Sequence, residues 1–123
     1  MDSVVHFEIP AKNLKRAKKF YETAFGWKIN KYQNNYFMAY TAPVDKNWMP
    51  TKAGAINGAL QKSSNKRVRL TVQVKDVKKA IKTVEKAGGK LVHPILKIED
   101  MLLMAVMRDT EGNEVGLAQY LRK

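Results

Sequence analysis

The sequence predicts an α+β fold: tandem βαβββ units forming a curved, mostly antiparallel sheet around a concave cleft, with the helices on its outer face. The first observation behind this prediction is a repeat, because residues 5–9 align with residues 68–72 at a spacing of 63 positions. The second is the order of patterns in each copy, which runs from an alternating strand through a capped amphipathic helix into three more strands. The length of 123 residues suits a single domain, expected to cover residues 1–123 with repeat units at about 4–61 and 67–120.

Each repeat opens with a strand that has one apolar face. Apolar and polar side chains alternate over residues 5–9 and again over residues 68–74. A period of two places the apolar side chains on one face of the strand, where we expect the helices to cover them. The polar side chains then project from the opposite face, into the cleft. They are His6, Glu8, Arg69, Thr71 and Gln73.

A helix follows each opening strand. Asn13 and Asp76, which are 63 residues apart, are predicted N-caps because their side-chain oxygens can accept hydrogen bonds from the free amides of the first turn. Gly26 ends the first helix, and Gly88 with Gly89 ends the second. A stripe of apolar residues along each helix predicts the face that packs on the sheet. In the first helix the stripe consists of Leu14, Ala17, Phe20, Tyr21, Ala24 and Phe25.

Three strand segments follow each helix. They are predicted at about 27–32, 36–42 and 55–61 in the first repeat, and at about 90–93, 102–108 and 114–120 in the second. Residues 109–113 read as a hairpin with Gly112 at positive φ. The connection 43–54 shows no periodicity, and we expect a flexible flap there.

The composition excludes several classes of protein. There is no cysteine, so disulfide scaffolds, thiolate metal sites and cysteine nucleophiles are excluded. No apolar run reaches the roughly 18 residues that a membrane span requires. The first residues lack the basic and then apolar pattern of a signal peptide, and we therefore expect a cytoplasmic protein that does not bind membranes.

The net charge of +12, from 23 basic and 11 acidic residues, raises the question of a nucleic-acid partner. Residues 12–23 carry +4 and residues 75–86 carry +3, on the predicted outer faces of the helices. Only 5 of the 23 basic residues are Arg, the residue that specific readers use most, and no nucleic-acid motif is present. We predict no specific nucleic-acid partner, and keep a basic accessory protein that binds polyanions as the weakest alternative.

Three stretches resemble the vicinal oxygen chelate superfamily, which includes glyoxalase I (lactoylglutathione lyase), extradiol dioxygenases and bleomycin-resistance proteins. They are residues 5–27, residues 87–90, and the ending Asp-Thr-Glu-Gly-Asn-Glu-Val-Gly-Leu at 109–117, which is similar to the family's Asp-Pro-x-Gly-Asn-x-φ-Glu-Leu. Together they span nearly the whole chain. The resemblance implies a paired βαβββ fold, a small-molecule ligand and a homodimer.

The family's metal ligands can be carried over one position at a time. In metal-dependent members, two His and two Glu usually come from the first and last strands of each unit. Here His6 takes the first position, Asn57 the second, Arg69 the third and Gly116 the fourth. An arginine cannot ligate and a glycine has no side chain, whereas a catalytic site needs about three protein ligands. The resemblance therefore implies a member without the usual metal centre or another cofactor, and without conventional metal-dependent glyoxalase I or dioxygenase activity.

The predicted function is a small-molecule binding or sequestering protein of the glyoxalase/bleomycin-resistance type. Its ligand is expected to be anionic, because Arg69 can hold a carboxylate or phosphate through paired hydrogen bonds. Trp48 is a further candidate, because a loop seldom exposes a large apolar side chain without a reason. The candidate ligand-binding residues are His6, Glu8, Asn57, Arg69, Thr71, Gln73, Trp48 and Glu114.

Two other interpretations of the same residues remain open. The chain is also compatible with a diverged lyase or isomerase-type enzyme related to glyoxalase, in which His6 is a general base and Glu8 orients it. Alternatively, Arg69 is neutralised by Glu8 in an ion pair that has no role in binding.

Overall fold

The computed structural model describes residues 1–65 and 67–121, which form eight strands and two helices. The first repeat contains β1 (Val4–Ala11), α1 (Leu14–Phe25), β2 (Lys28–Gln33), β3 (Tyr36–Tyr40) and β4 (Gly58–Lys62). The second contains β5 (Arg69–Gln73), α2 (Val77–Lys86), β6 (Lys90–Ile98), β7 (Leu102–Arg108) and β8 (Glu114–Tyr120). The predicted α+β class and the duplicated βαβββ order are confirmed. Neither helix is long and apolar enough to cross a bilayer within the part of the chain described.

The chain divides into two compact units. The N-terminal unit is His6–Val68, and the C-terminal unit combines Met1–Val5 with Arg69–Lys123. The first residues belong with the second repeat, where the backbone N–H of Gln73 donates to the carbonyl of Ser3 at 2.9 Å.

Strand pairing follows the same plan in both units. The order is β2-β3-β4-β1 in the N-terminal unit and β5-β8-β7-β6 in the C-terminal unit. β1 pairs with β4, and β5 with β8, in parallel; the other pairs are antiparallel. Within each unit, antiparallel pairing therefore predominates, as predicted.

The helix ends match the sequence prediction. The Asn13 side chain accepts from the Arg16 amide at 2.9 Å, and the Asp76 side chain accepts from the Lys79 amide at 3.1 Å. Both caps therefore satisfy an amide of the first turn that has no partner within the helix. Gly26 ends α1 at φ +71°, a conformation that glycine adopts without steric cost.

Each unit has its own apolar core between its helix and its strands. Leu60 in the N-terminal core and Val77 in the C-terminal core are fully buried. The predicted stripe on α1 is wrong for Phe20, Ala24 and Phe25, which are exposed, the two phenylalanines to 57% and 63%. Ala24 and Phe25 belong to the last turn of the helix, and the rings of Phe20 and Phe25 contact each other beside the core, at 6.2 Å between centroids.

The strand predicted at 90–93 is too short. β6 continues to Ile98, through Pro94. It is the outermost strand of its unit, and its pairing with β7 shifts register on both sides of His93. An edge strand with an irregular ladder tolerates the missing N–H of a proline, which is why the strand does not end there.

Candidate functional site

Three polar side chains meet on the face of the N-terminal unit that points away from α1. The Tyr36 hydroxyl donates to Glu8 Oε2 at 2.6 Å, and the same hydroxyl lies 2.9 Å from His6 Nε2. Glu8 is only 6% exposed, whereas the His6 side chain keeps 24% of its surface. His6, Glu8 and Tyr36 are called the polar cluster below.

The hydrogen bonds of the polar cluster indicate which ring nitrogen of His6 carries a proton. A phenol has one proton, and Tyr36 gives it to the Glu8 carboxylate. The 2.9 Å contact with His6 is then a hydrogen bond only if Nε2 carries a proton and donates it to the phenol oxygen. One hydrogen bond therefore runs from the His6 imidazole to the Tyr36 phenol, and a second runs from that phenol to the Glu8 carboxylate. Together they form a continuous path for proton transfer.

Strand alternation places these side chains on one face. Phe7 and Ile9 of β1 pack against the apolar core, as does Phe37 of β3, so their neighbours in sequence point the other way. β4 lies between β3 and β1, and Tyr36 must reach across it to meet Glu8. Ala59 of β4 is opposite Glu8 in register and fully buried. Its small side chain leaves room for the tyrosine ring to cross.

Two aromatic side chains extend this face beyond the polar cluster. Tyr40 follows Tyr36 at an even spacing on β3, and its ring lies 6.3 Å from that of Trp48. Burial raises the pKa of the Tyr40 phenol, which therefore stays protonated and neutral at physiological pH. Trp48 is 63% exposed and stands at φ +63°, an uncommon conformation for a residue other than glycine.

The segment expected to be a flexible flap contains a short hairpin. Val44 bridges Pro50, and the Asp45 side chain accepts from the amides of Asn47 at 2.8 Å and Met49 at 3.1 Å. These bonds between a side chain and nearby amides order the tip that presents Trp48. They leave no periodicity in the sequence, which is why the hairpin was not predicted.

Asn57 anchors the other end of that connection. Its carboxamide oxygen accepts from the amides of Thr41 at 2.7 Å and Ala42 at 3.1 Å, and the residue is 8% exposed. The side chain is occupied in holding the base of the hairpin. Its predicted contact with a ligand stays a prediction.

Four of the candidate residues belong to the C-terminal unit: Arg69, Thr71, Gln73 and Glu114. Arg69 lies 3.6 Å from one oxygen of Glu114, and Arg108 lies 3.5 Å from the other. One carboxylate therefore pairs with two guanidinium groups. Thr71 is 5% exposed and pairs in register with Gly116, while the side chain of Gln73 is exposed.

The residues present do not fit the metal centre that the fold family implies. A Cβ atom added at Gly116 would lie 2.6 Å from Thr71 Oγ1, so the fourth ligand position has no room for a side chain. The third position holds Arg69, already paired with Glu114. Across residues 1–65 and 67–121, no three His, Cys, Asp or Glu side chains come together as a metal site would require.

The roles of Tyr36 and Arg108 were missed from the sequence. Tyr36 was not among the candidate residues, because its partners lie two strands away and the strand order could not be predicted. The alternation within β3 could have identified it: Phe37 and Ala39 alternate with Tyr36, Met38 and Tyr40, which places Tyr36 on the face opposite the core. Arg108 sits opposite Glu114 in the β7–β8 ladder, a pairing that the hairpin at 109–113 already predicts.

Known proteins share this fold. A crystal structure of a glyoxalase/bleomycin resistance protein/dioxygenase superfamily member from Vibrio splendidus 12B01 superposes with a TM-score of 0.67, at 12% identity, over 97% of this chain and 99% of that one. Methylmalonyl-CoA epimerase from Mycobacterium tuberculosis superposes with a TM-score of 0.66 at 14% identity, over 94% of this chain and 86% of the epimerase. At such low identity these likenesses concern the fold.

The family itself follows from the sequence matches. A relative from Didymella fabae, a glyoxylase-like domain-containing protein, is 32% identical over 112 residues, covering 86% of this chain and 84% of the relative. The family model for the glyoxalase-like domain matches residues 5–118. The chain belongs to the glyoxalase-like domain family, within the vicinal oxygen chelate superfamily.

Proposed function

We propose that the protein binds a small organic molecule at the polar cluster of the N-terminal unit, without a metal ion. The observation that carries the proposal is the buried carboxylate of Glu8, bonded to Tyr36 on the face opposite the core. Burying a carboxylate costs stability that an apolar residue at the same place would not cost. Titratable groups kept in such a position are typical of binding and reactive sites.

The surroundings suggest the chemistry of the ligand. The polar cluster combines an imidazole, a phenol and a carboxylate, which suits a polar head group such as a hydroxyl, amide or enol. Tyr40 and Trp48 offer aromatic surface beside it, which suits a flat apolar body. The ligand is therefore expected to be amphipathic and small.

A thermal-shift screen of small organic molecules tests this proposal. Compounds that raise the Tm of the wild type should raise that of Tyr36→Phe and Glu8→Gln much less, because losing a hydrogen bond to a charged group weakens binding by about 1.5–3 kcal/mol. Glu111→Gln, which changes an exposed carboxylate of the other unit, is the matched control and should respond as the wild type does. Unchanged Tm shifts in both cluster variants would refute the proposal.

Enzymatic proton transfer is a second candidate function, favoured by the continuous chain of hydrogen bonds from His6 through Tyr36 to Glu8. Such a chain can remove a proton from carbon beside a carbonyl and return one, as an isomerase requires. Some proteins of similar fold are methylmalonyl-CoA epimerases, which makes methylmalonyl-CoA a suitable probe.

The probe is incubated with the protein in heavy water, and deuterium incorporation at its C2 carbon is followed by mass spectrometry. An enzyme of this type incorporates deuterium at a rate that falls in Glu8→Gln. If deuterium is incorporated no faster than in buffer while methylmalonyl-CoA still binds, the isomerase function is contradicted and the binding function is retained.

We also propose that an anionic ligand group pairs with Arg69. Support comes from the guanidinium group of Arg69, which lies with that of Arg108 beside Glu114 and can hold a carboxylate or phosphate through paired hydrogen bonds. Arg69→Met should then weaken binding of an anionic ligand by about 1.5–3 kcal/mol with little change in Tm. If Arg69 only neutralises Glu114, the same substitution lowers Tm and leaves the affinity unchanged.

A homodimer and a cytoplasmic location are further proposals, supported by the family resemblance and the sequence composition respectively. Sedimentation analysis of the purified chain at micromolar concentration tests the first. A single species at the monomer mass would contradict it.

A further inference from the structure

A groove separate from the polar cluster opens in the N-terminal unit, where β1 and β4 end and α1 begins. Its volume is about 330 Å³, within the range of small-molecule sites. Four lysines line it, and they come from three regions of the chain: Lys12 and Lys15 at the start of α1, Lys31 in β2 and Lys62 at the end of β4. The start of α1 and the end of β4 share one groove because the parallel pairing of β1 and β4 brings their carboxyl ends to the same edge.

The part of the chain that the structure describes does not neutralise the charge of this lysine groove. Within residues 1–65 and 67–121, no acidic residue lines the groove and none of the four lysines forms an ion pair. Elsewhere lysines do find partners, as in Lys18 with Glu22 at 3.3 Å and Lys97 with Asp100 at 3.4 Å. Four like charges around one groove repel each other, and a bound anion would relieve that repulsion.

The groove also has an apolar floor. Leu14 and Phe37 line it, and they are 6% and 7% exposed because they belong to the core of the unit. A lysine rim above an apolar floor matches a molecule with a charged end and an apolar body. The first turn of α1 lies at the same place, and its amide groups add to the positive potential.

We propose that the lysine groove binds the phosphate end of a small phosphorylated organic molecule. Phosphate is the anion favoured by several convergent ammonium groups, which act on it as point charges. The groove lies on the side of the strands covered by α1, since Leu14 and Phe37 belong to that core, whereas the polar cluster points away from it. The proposal is therefore independent of the proposed function.

Phenyl phosphate is a suitable probe, with inorganic phosphate to measure the contribution of the charge alone. Binding is followed by the amide chemical shifts of the labelled protein. We expect saturable binding of phenyl phosphate that moves residues 12–15, 31 and 62, and that is tighter than the binding of inorganic phosphate. The triple variant Lys12→Glu, Lys31→Glu, Lys62→Glu should lose at least about tenfold in affinity, the effect of one charge-assisted contact.

A matched triple variant on α2 is the control: Lys78→Glu, Lys79→Glu, Lys82→Glu. It changes the net charge by the same amount at exposed lysines that do not line the lysine groove, and its affinity should stay within about threefold of the wild type. Equal losses in the two triple variants would show non-specific attraction and overturn the proposal. So would a single-stranded oligonucleotide that displaces phenyl phosphate and binds more tightly through the same lysines, since a nucleic-acid site would then be present.

Discussion

At the repeat spacing of 63 residues, His6 and Glu8 of the N-terminal unit correspond to Arg69 and Thr71 of the C-terminal unit. The first pair is titratable and joined through Tyr36. At the second pair, a permanent cation is matched to Glu114 and a buried threonine packs against Gly116. Equivalent positions on the same scaffold therefore carry different chemistry, and those of the N-terminal unit belong to a continuous chain of hydrogen bonds between titratable groups.

The scaffold residues, in contrast, have remained alike. Asn13 and Asp76 cap their helices through the same contact, with the amide three residues ahead. Leu60 lies opposite Ile9 and Leu117 lies opposite Val72, and both leucines are buried. Capping and core packing tolerate few residue types, whereas the exposed face of a strand tolerates many. A duplicated unit can therefore diverge in function while it keeps its fold.

The strongest test of this likeness is the pair of core leucines. Leu60→Ala and Leu117→Ala should each lower the free energy of unfolding by about 2–5 kcal/mol, because each removes buried methyl groups and leaves a cavity. Urea unfolding of both variants measures the two losses. A loss below 1 kcal/mol in one variant, on the order expected for a surface change, would contradict the equivalence of the two cores.

The difference between the two units can be tested at Gly116. Gly116 pairs with Thr71 in the C-terminal unit as Ala59 pairs with Glu8 in the N-terminal unit. Gly116→Ala should cost about 1–3 kcal/mol, because the new Cβ atom would meet Thr71 Oγ1 at 2.6 Å. Adding Thr71→Ala removes that oxygen and should recover most of the loss. A single variant as stable as the wild type would show that Thr71 does not close the fourth ligand position.

The smallest expected effect concerns the connections between the last two strands of each unit. The Asp109 carboxylate accepts from the backbone amide of Asn113 at 2.8 Å and from its side chain at 3.1 Å, and these bonds lower the pKa of Asp109. Because the pKa of Asp109 is lower in the folded state than the unfolded value of 3.8, its ionised carboxylate stabilises the fold at pH values above 3.8. This stabilisation is lost as the pH falls through the pKa of the folded state. The base of the corresponding connection, 41–57, is held instead by the neutral side chain of Asn57.

Asp109→Asn should therefore be less stable than the wild type at neutral pH, and the difference should shrink as the pH is lowered to about 2. Chemical unfolding at both pH values measures it. A stability difference that is the same at the two pH values would mean that the charge of Asp109 contributes nothing to the hairpin.

Local features could be predicted from the sequence, and contacts across strands could not. The caps at Asn13 and Asp76 and the turn at Gly112, observed at φ +86°, depend on a few neighbouring residues and were predicted correctly. The contact between Tyr36 and Glu8 depends on β4 lying between β3 and β1, which no local pattern encodes. Phe20 was assigned to the core because periodicity gives the direction of a side chain but not the width of the surface that covers it.

We propose that the polar cluster of the N-terminal unit binds a small molecule without a metal ion. The most direct measurement is a fragment screen by amide chemical shifts of the labelled protein with a metal chelator present, repeated on Tyr36→Phe. We expect fragments that change the amide chemical shifts of His6, Glu8 and Tyr36 in the wild type. The same fragments should bind at least about tenfold more weakly to Tyr36→Phe, which is the effect of losing one charge-assisted hydrogen bond. Fragments that bind only after zinc or nickel is added, or that bind the variant as tightly as the wild type, would contradict it.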